Sequence, residues 1–391
     1  MLKVLKWFFG LFSPYVNSFE RKIDKFFRNI KSTDGLATIK KGLNALMQEN
    51  LMIVNVWLEK KFKGYLYLTK SARRKMYGDT ESIKSLLNEF VKNSKITEAE
   101  IKEVLNEKGL SFPGGDGDKL LYLYQIMLFL RPGIYYRYIK TASFGKLLRD
   151  PNREKLEGDC NQIVTLYIYL FTLKFPVEDV KIKLLPEHVC LHFRGIDIEC
   201  TNGTFQKYTE AEDVLPSTEI ISTNLLDLAD FREDVQKISS REMVKSAQLA
   251  YAISSLKPLV AKNLDIAYRN LAASALNVNN FDSAIFFLSK TSEKKDLATV
   301  YRNACIHYLD KKNFSKARYY ASKSGDNDLK KAIDQTENAQ RYNYLAKKVS
   351  GVKTLAEAKR HKSAYREMLS LAQKMGNHEL EKSVRETLSK I

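Results

Sequence analysis

Three side chains near the middle of the chain are of the types that nucleophilic thiol chemistry requires. Cys160 supplies a thiol, His188 an imidazole and Glu199 a carboxylate, in that order along the sequence. Such chemistry needs a thiolate that attacks, a base that accepts and returns a proton, and an acid that holds the base in one tautomer. The three residues therefore predict acyl transfer through a cysteine nucleophile.

The sequence around Cys160 predicts the helix that would activate its thiol. An apolar run, residues 161–171, follows Cys160, and Pro176 stops the helix that this run favours. The thiol would then lie at the helix N-terminus, where unpaired backbone N–H groups and the positive end of the dipole favour a thiolate. We expect Glu157 and Asp159 to face solvent, because a carboxylate aimed at the sulfur would oppose its ionisation.

Alternating residues beyond this helix predict an antiparallel β-hairpin. Residues 188–193 and 196–200 alternate in polarity, and Arg194-Gly195 supplies a two-residue turn between them. Residues 180–184 alternate apolar and basic side chains, which is typical of an exposed strand. Together with the preceding helix, these strands predict an α+β core.

The register of the hairpin decides which histidine meets which carboxylate. With Arg194-Gly195 as the turn, Asp197 pairs opposite His192. Glu199 then lies one diagonal step from His188. Either histidine can therefore contact an acid, and the register alone does not choose between them.

This segment resembles the transglutaminase-like branch of the papain-like cysteine hydrolases. Members of that branch carry Gly-x-Cys at the start of a helix, a His that opens a strand, and an acid-x-Thr on the next strand. The corresponding residues here are Gly158-Asp159-Cys160, His188-Val189 and Glu199-Cys200-Thr201. The resemblance covers about a quarter of the chain. It implies that Cys160 is the nucleophile, His188 the base and Glu199 the orienting acid.

The same resemblance distinguishes the two histidines. Only His188 opens its strand as the family's histidine does, so we interpret His192 as a strand histidine with satisfied hydrogen bonds. Two positions depart from the family pattern. Glu199 stands where Asp is commoner, and Val189 stands where an aromatic residue often follows the histidine.

Two further features of a thiol site are less distinct in the sequence. For the oxyanion, the backbone N–H of Cys160 and the amide of Asn152 are the candidate donors. Cys160, Cys190, His192 and Cys200 form an alternative set of zinc ligands, although no Cys-x-x-Cys pair accompanies them. We therefore expect neither a metal nor a cofactor.

A second pattern repeats in the C-terminal third with a period of 33 residues. The repeated set is Tyr268, Leu271, Ala272, Ala275, Asn280, Phe281, Ala284 and Leu288, which recurs as Tyr301, Ala304, Cys305, Tyr308, Asn313, Phe314, Ala317 and Ala321. Small residues let two antiparallel helices approach closely, and the Asn-Phe pair marks the turn between them. The pattern resembles tetratricopeptide repeats, with a degenerate unit before Gly376. That resemblance implies a solenoid with a concave surface suited to a peptide or protein partner. The alternative is that the repeats only pad and solubilise the catalytic domain.

Composition limits the compartment and the number of domains. The 391 residues are 44% hydrophobic and 28% charged, which is enough for two or three domains with their own cores. The four cysteines follow no disulfide-framework spacing, which favours a reducing cytoplasm. No stretch of about 20 apolar residues predicts a membrane-spanning helix.

The positive charge is concentrated at the N-terminus. The net charge is +18, and residues 1–75 hold 16 Lys or Arg residues against 5 acidic residues. No nucleic-acid recognition motif accompanies this charge, so we do not expect a nucleic-acid partner. A contact between this region and an anionic membrane surface stays open. We expect residues 1–14, which mix basic and apolar side chains, to dock on the body of the protein.

These observations predict an α+β protein in three parts. Residues 1–112 form a basic helical N-terminal region, residues 113–222 a transglutaminase-like core with the Cys160 helix packed on an antiparallel sheet, and residues 223–391 the helical repeats. The predicted function is acyl transfer on peptide or carboxamide bonds of a protein or peptide substrate. The alternative is a non-catalytic scaffold in which the core and the repeats bind protein partners.

Overall fold

The chain has a mixed α+β fold. The computed structural model describes residues 13–31, 33–141, 143–209, 214–226 and 238–391. The chain divides into two compact units, residues 1–267 and 268–391. The predicted docking of residues 1–14 falls mainly on residues 1–12, which lie outside the described residues. None of the helices in the described part is long and apolar enough to cross a membrane.

Helices lead the first unit and enter the same hydrophobic core as the strands that follow. Their bounds are α1 Ser18–Asn29, α2 Leu36–Leu58, α3 Lys70–Asn93, α4 Glu98–Glu107 and α5 Gly117–Phe129. The spacing of Thr97 and Glu100 predicts a capping box, and the structure confirms it, because the Thr97 hydroxyl accepts from the Glu100 N–H and the Glu100 carboxylate accepts from the Thr97 N–H. The shared core means that the basic N-terminal helices and the sheet belong to one unit.

A buried ion pair joins α1 to α3. Arg73 donates from Nε to Oε1 of Glu20 at 2.7 Å and from Nη2 to Oε2 at 3.1 Å. The same guanidinium also donates to the carbonyls of Leu68 and Pro14. The Tyr77 hydroxyl donates to Oε1 of Glu20 at 2.6 Å. These hydrogen bonds satisfy both charges, which burial requires.

The described residues of the first unit contain a five-stranded antiparallel sheet in the order β6-β5-β4-β3-β7. A short parallel pair of strands, β1 with β2, precedes it. The strand bounds are β1 Tyr136–Tyr138, β2 Leu156–Gly158, β3 Lys181–Leu185, β4 His188–Phe193, β5 Ile196–Glu199, β6 Thr204–Gln206 and β7 Val214–Pro216. The predicted β4–β5 hairpin is confirmed, including the pairing of His192 with Asp197.

The structure corrects two expectations about this sheet. Residues 180–184 were expected to form an exposed strand, but β3 lies between β4 and β7 and buries the charged side chain of Lys183. The acidic and irregular pattern of residues 209–240 predicts a connection between the core and the repeats. Instead, β7 pairs with β3, and a buried helix, α7 Glu219–Leu226, follows it. Both differences arise because a strand's neighbours, which come from distant parts of the chain, decide its exposure.

The helix predicted at Cys160 is confirmed as α6 Cys160–Thr172. Its residues from Gln162 to Thr172 are buried, which agrees with an apolar sequence on every face. The helix packs on α2 on one side and on β4 on another. The first turn, which holds Cys160, remains partly accessible.

The remaining helices begin at the end of the first unit and continue through the second unit, which is described throughout. Their bounds are α8 Ser240–Ile253, α9 Lys257–Leu276, α10 Phe281–Leu288, α11 Lys295–Asp310, α12 Phe314–Ser324, α13 Asn327–Val349, α14 Leu355–Arg360, α15 Lys362–Met375 and α16 His378–Lys390. The predicted Asn-Phe turns separate α9 from α10 and α11 from α12. In both turns the Asn side chain caps the second helix. The small residues of the repeat pattern lie in a buried cluster of this unit.

Replacing Arg73 by Met tests the contribution of the buried ion pair. The change leaves the Glu20 carboxylate buried without its cation, so we expect the free energy of unfolding to fall by about 3 to 5 kcal/mol. Urea unfolding followed by tryptophan fluorescence measures this loss, because Trp57 lies 5.4 Å from the guanidinium. The matched control is Lys84→Met, which removes an exposed pair with Glu81 and should change stability by about 0.5 kcal/mol or less. Equal effects from the two variants would contradict this assignment.

Candidate active site

Asp159 caps the helix that begins with Cys160. Its Oδ1 accepts from the N–H groups of Asn161 at 2.9 Å and Gln162 at 3.4 Å, while Oε1 of Gln162 accepts from the Asp159 N–H at 3.1 Å. This capping box fixes the first turn of α6 and therefore the position of the sulfur. The expectation that Asp159 faces solvent is corrected, because its carboxylate is half-buried and bonded to the helix N-terminus.

Glu157 is also bonded rather than free in solvent. It forms an ion pair with Arg137, and this hydrogen bond lowers the pKa of Glu157. Gly158 lies between Glu157 and the capping residue Asp159, where neighbouring side chains leave little room for a Cβ atom. A Cβ at position 158 would lie 3.0 Å from Cβ of Gln162 and 3.4 Å from Cδ1 of Leu147. Glycine therefore lets β2 turn directly into the helix of the thiol.

The structure brings the three predicted site residues together. The Cys160 thiol lies close enough to the His188 ring to raise the pKa of the imidazole. On its other side, Nε2 of His188 donates to Oε2 of Glu199 at 2.6 Å. The His188 side chain is 27% exposed, the Glu199 side chain only 5%, and the thiol is half-buried. A thiol, an imidazole and a buried carboxylate thus form one continuous chain that opens to solvent at the sulfur.

These contacts favour the charged form of His188. The hydrogen bond with Cys160 and then that with Glu199 raise the pKa of His188 to about 10, against the opposing effect of burial. The imidazole is therefore positively charged at neutral pH. A cation beside a thiol at a helix N-terminus is the arrangement that nucleophilic cysteine chemistry requires.

Hydrogen bonds satisfy both oxygens of Glu199. Oε1 accepts from the Thr201 N–H at 3.1 Å and the Thr201 hydroxyl at 2.6 Å. Oε2 accepts from His188 and from the Tyr208 hydroxyl at 2.8 Å. Burial acts to raise the pKa of Glu199, but hydrogen bonds from His188, Thr201 and Tyr208 together lower it. The acid is therefore ionised and held in one orientation. Thr201, the threonine of the acid-x-Thr motif, donates two of these four hydrogen bonds.

His192 belongs to a separate polar cluster in the same hairpin. Its Nδ1 donates to Oδ1 of Asp197 at 2.6 Å, and its Nε2 accepts from the Gly195 N–H at 3.3 Å. Lys183 donates to the other oxygen of Asp197 at 2.9 Å. Both ring nitrogens of His192 are thus used inside the hairpin, as expected of a structural strand histidine.

The alternative candidates of the sequence lie elsewhere or are already bonded. Burial raises the pKa of Cys190 to about 12 and that of Cys200 well above its usual range. The described residues contain no group of three or more His, Cys, Asp or Glu side chains that could hold a metal ion. Asn152 lies exposed in a turn, and its amide donates to Asp150 at 3.0 Å. We therefore do not retain it as an oxyanion donor.

Tyr138 is a neighbour of the thiol that the sequence interpretation missed. In the parallel pairing of β1 with β2, Tyr138 lies opposite Gly158, two residues before Cys160. Burial and then the charges of Cys160 and Asp159 raise the pKa of Tyr138. Its side chain is nevertheless half-exposed. Tyr138 is therefore near enough to Cys160 for their charges to interact, and its ring is accessible to solvent.

The titration of His188 tests this geometry without a substrate. In the wild type, nitrogen-detected NMR should find the imidazole still charged at pH 8, because its pKa is raised to about 10. Glu199→Gln and Cys160→Ala each remove a group that raises this pKa, so His188 should lose its proton at lower pH. The control is Asp328→Asn, which changes a carboxylate that is 94% exposed. Titration of wild-type His188 near its ordinary pKa of 6.5 would contradict the geometry.

The same pKa sets the pH range in which the site stabilises the fold. Because the folded pKa of His188 lies above the unfolded value, its contribution to stability is fully present below about pH 6.5. That contribution is lost as the pH rises through about 10.

Comparison with known proteins adds no family assignment to this geometry. No protein-family model matches the chain, and searches of curated proteins and of solved structures find no match either. The interpretation of the site therefore depends on the contacts of Cys160, His188 and Glu199 and on the fold that holds them.

Proposed function

We propose that the protein is a transglutaminase-like cysteine acyltransferase or hydrolase with Cys160 as its nucleophile, His188 as its base and Glu199 as the orienting acid. The observation that carries this proposal is a half-buried thiol at a helix N-terminus, beside a charged imidazole that is hydrogen-bonded to a buried carboxylate. A buried thiol with a purely structural role needs none of these partners.

In the proposed reaction the Cys160 thiolate attacks the carbonyl carbon of a peptide or side-chain carboxamide. A C–S bond forms, and the carbonyl π electrons move to oxygen to give a tetrahedral oxyanion. When this intermediate collapses, the C–N bond breaks, and the His188 imidazolium gives its proton to the leaving amine. The product is a thioester on Cys160. Water or an amine then attacks the thioester while His188 accepts the proton, which regenerates the thiolate and the imidazolium.

Two groups are suited to stabilise the oxyanion. Backbone N–H groups in the first turn of a helix have no intrahelical partner, and that of Cys160 is nearest to the reacting carbon. We propose the Tyr138 hydroxyl as the second donor because its strand position lies beside the thiol. Glu199 takes no proton in this scheme. It keeps the His188 ring aligned and stabilises its positive charge.

The fold supports a transglutaminase-like identity for this part of the chain. The cysteine opens a buried helix that packs on an antiparallel sheet, the histidine opens a strand, and the acid ends the next strand. Hydrolysis is the favoured outcome because nothing in the sequence marks an amine site. A reducing compartment such as the cytoplasm would keep the thiol free for this reaction.

We also propose that the second unit is tetratricopeptide-like and binds a protein partner. Its helices form pairs at equivalent turns, where Asn280 and Asn313 cap the second helix of each pair. The residue before each Asn, Asn279 or Lys312, has a left-handed backbone with φ of 54° and 58°. The same turn geometry thus recurs at the sequence period, as a helical repeat requires.

Acylation by an activated ester tests the catalytic proposal without knowledge of the natural substrate. With p-nitrophenyl acetate, we expect a rapid burst of p-nitrophenolate and a thioester on Cys160 that is found by peptide mass spectrometry. His188→Ala should slow acylation by about 100-fold or more, because it removes the cation that stabilises the attacking thiolate. The matched control is His378→Ala, which changes a histidine that is 93% exposed and should leave the rate unchanged.

The opposite outcome would favour the scaffold. If Cys160→Ala leaves the burst intact, or if the ester modifies all cysteines slowly and equally, Cys160 is not an activated nucleophile. Adding an amine after the burst separates the two enzymatic alternatives. Faster loss of the thioester with amide formation indicates transfer, and loss at the rate in buffer indicates hydrolysis.

A further inference from the structure

Tyr208 contacts both buried carboxylates of β5. Its hydroxyl donates to Oε2 of Glu199 at 2.8 Å, and its backbone N–H donates to Oδ2 of Asp197 at 2.8 Å. Its carbonyl oxygen accepts from Nζ of Lys183 at 2.7 Å. One residue outside the hairpin thus links the carboxylate that holds His188 to the cluster that contains His192.

A buried ion pair fixes the backbone of Tyr208. Lys183 and Asp197 lie 2.9 Å apart, and their side chains are 10% and 1% exposed. A buried pair is retained only when further hydrogen bonds satisfy both charges. The carbonyl of Tyr208 accepts a hydrogen bond from the Lys183 ammonium, and its N–H donates to the Asp197 carboxylate. The ion pair therefore holds both polar groups of this residue's backbone and limits where its phenol ring can point.

The phenol reaches the oxygen of Glu199 that also faces His188. Oε2 accepts from Tyr208 and from Nε2 of His188, while Thr201 occupies Oε1. Donors on both oxygens prevent rotation of the carboxylate, because any rotation would break hydrogen bonds on each side. Without the Tyr208 hydroxyl, His188 would be the remaining donor to Oε2 among these groups. No second hydrogen bond would then hold Oε2 in place against His188.

We propose that Tyr208 is a positioning residue for acyl transfer: it holds Glu199, and through Glu199 the His188 ring, in the orientation that meets Cys160. This inference rests on the proposed function. Tyr208 does not touch the reacting atoms, and the buried pair of Lys183 with Asp197 serves as its anchor. The polar cluster of Lys183, Asp197 and His192 therefore supports the contact between Glu199 and His188.

The test compares Tyr208→Phe with Tyr319→Phe. The first variant removes only the hydroxyl that meets Glu199, and the second removes a hydroxyl from a ring that is 54% exposed. Acylation of Cys160 by p-nitrophenyl acetate should slow about tenfold in Tyr208→Phe, since a hydrogen bond to a charged group is lost. Glu199 should titrate at higher pH by carboxyl-carbon NMR, because the bond from Tyr208 lowers its pKa. Tyr319→Phe should change neither.

The outcomes distinguish this inference from the proposed function. If the wild type is acylated at Cys160 and Tyr208→Phe is unchanged in rate and in the titration of Glu199, the inference is wrong and the proposed function stands. If the wild type is not acylated, both are wrong. If Tyr208→Phe does not fold, 3-fluorotyrosine introduced at position 208 keeps the shape of the ring and strengthens the donor. Glu199 should then titrate at lower pH than in the wild type, and an unchanged titration would overturn the inference.

Discussion

The register of the β4–β5 hairpin decides which carboxylate each histidine of the site contacts. It pairs His192 with Asp197 and leaves Glu199 beside His188. Because side chains alternate along a strand, a slip of one residue would turn both carboxylates to the opposite face of the sheet. The turn sets the register, since Arg194 and Gly195 both have left-handed backbones, with φ of 49° and 84°. Two positive φ values in a two-residue turn match the twist of the flanking strands.

The hairpin buries two carboxylates and gives them different partners. Asp197 meets Lys183, whose ammonium supplies a lasting positive charge, and Glu199 meets His188, whose charge can leave as a proton. The first arrangement suits a structural anchor, and the second suits a group that takes and returns protons. Tyr208 contacts both Asp197 and Glu199. The ion pair of Lys183 with Asp197 therefore supports the contact of Glu199 with His188. This division explains why one strand carries two histidine–carboxylate contacts that have different uses.

Local sequence patterns predicted the elements that carry the site. The apolar run after Cys160 predicted α6, and the alternation around Arg194-Gly195 predicted the hairpin with its pairing. These features depend on residues close together in the chain, so periodicity and turn chemistry suffice to find them. The role of Asp159 was also within reach, because Asp with Gln three residues later is a capping-box signature. Repulsion from the sulfur predicts a solvent-facing carboxylate there, but the unpaired N–H groups at the helix start attract it more strongly.

The missed features depend on contacts between distant parts of the chain. The alternating pattern of its strand predicts an exposed Lys183. In the structure, β7 pairs with the outer edge of that strand, and the Lys183 ammonium forms an ion pair with Asp197. Tyr138 comes opposite Gly158, near the thiol, through a parallel pairing of two very short strands, which gives no periodic signal. Tyr208 lies beyond the last strand of the hairpin and meets Glu199 only once the chain has folded back. Patterns within one sequence do not encode such contacts, because the identity of a side chain does not specify its partner elsewhere in the chain.

The most direct test of the activated thiol is the alkylation rate of each cysteine as a function of pH, resolved by mass spectrometry in the wild type and in His188→Ala. At pH 7, iodoacetamide should modify Cys160 at least about tenfold faster than Cys190, Cys200 and Cys305, and His188→Ala should remove that advantage. Equal rates for all four cysteines, or a fast Cys160 that does not depend on His188, would contradict the account.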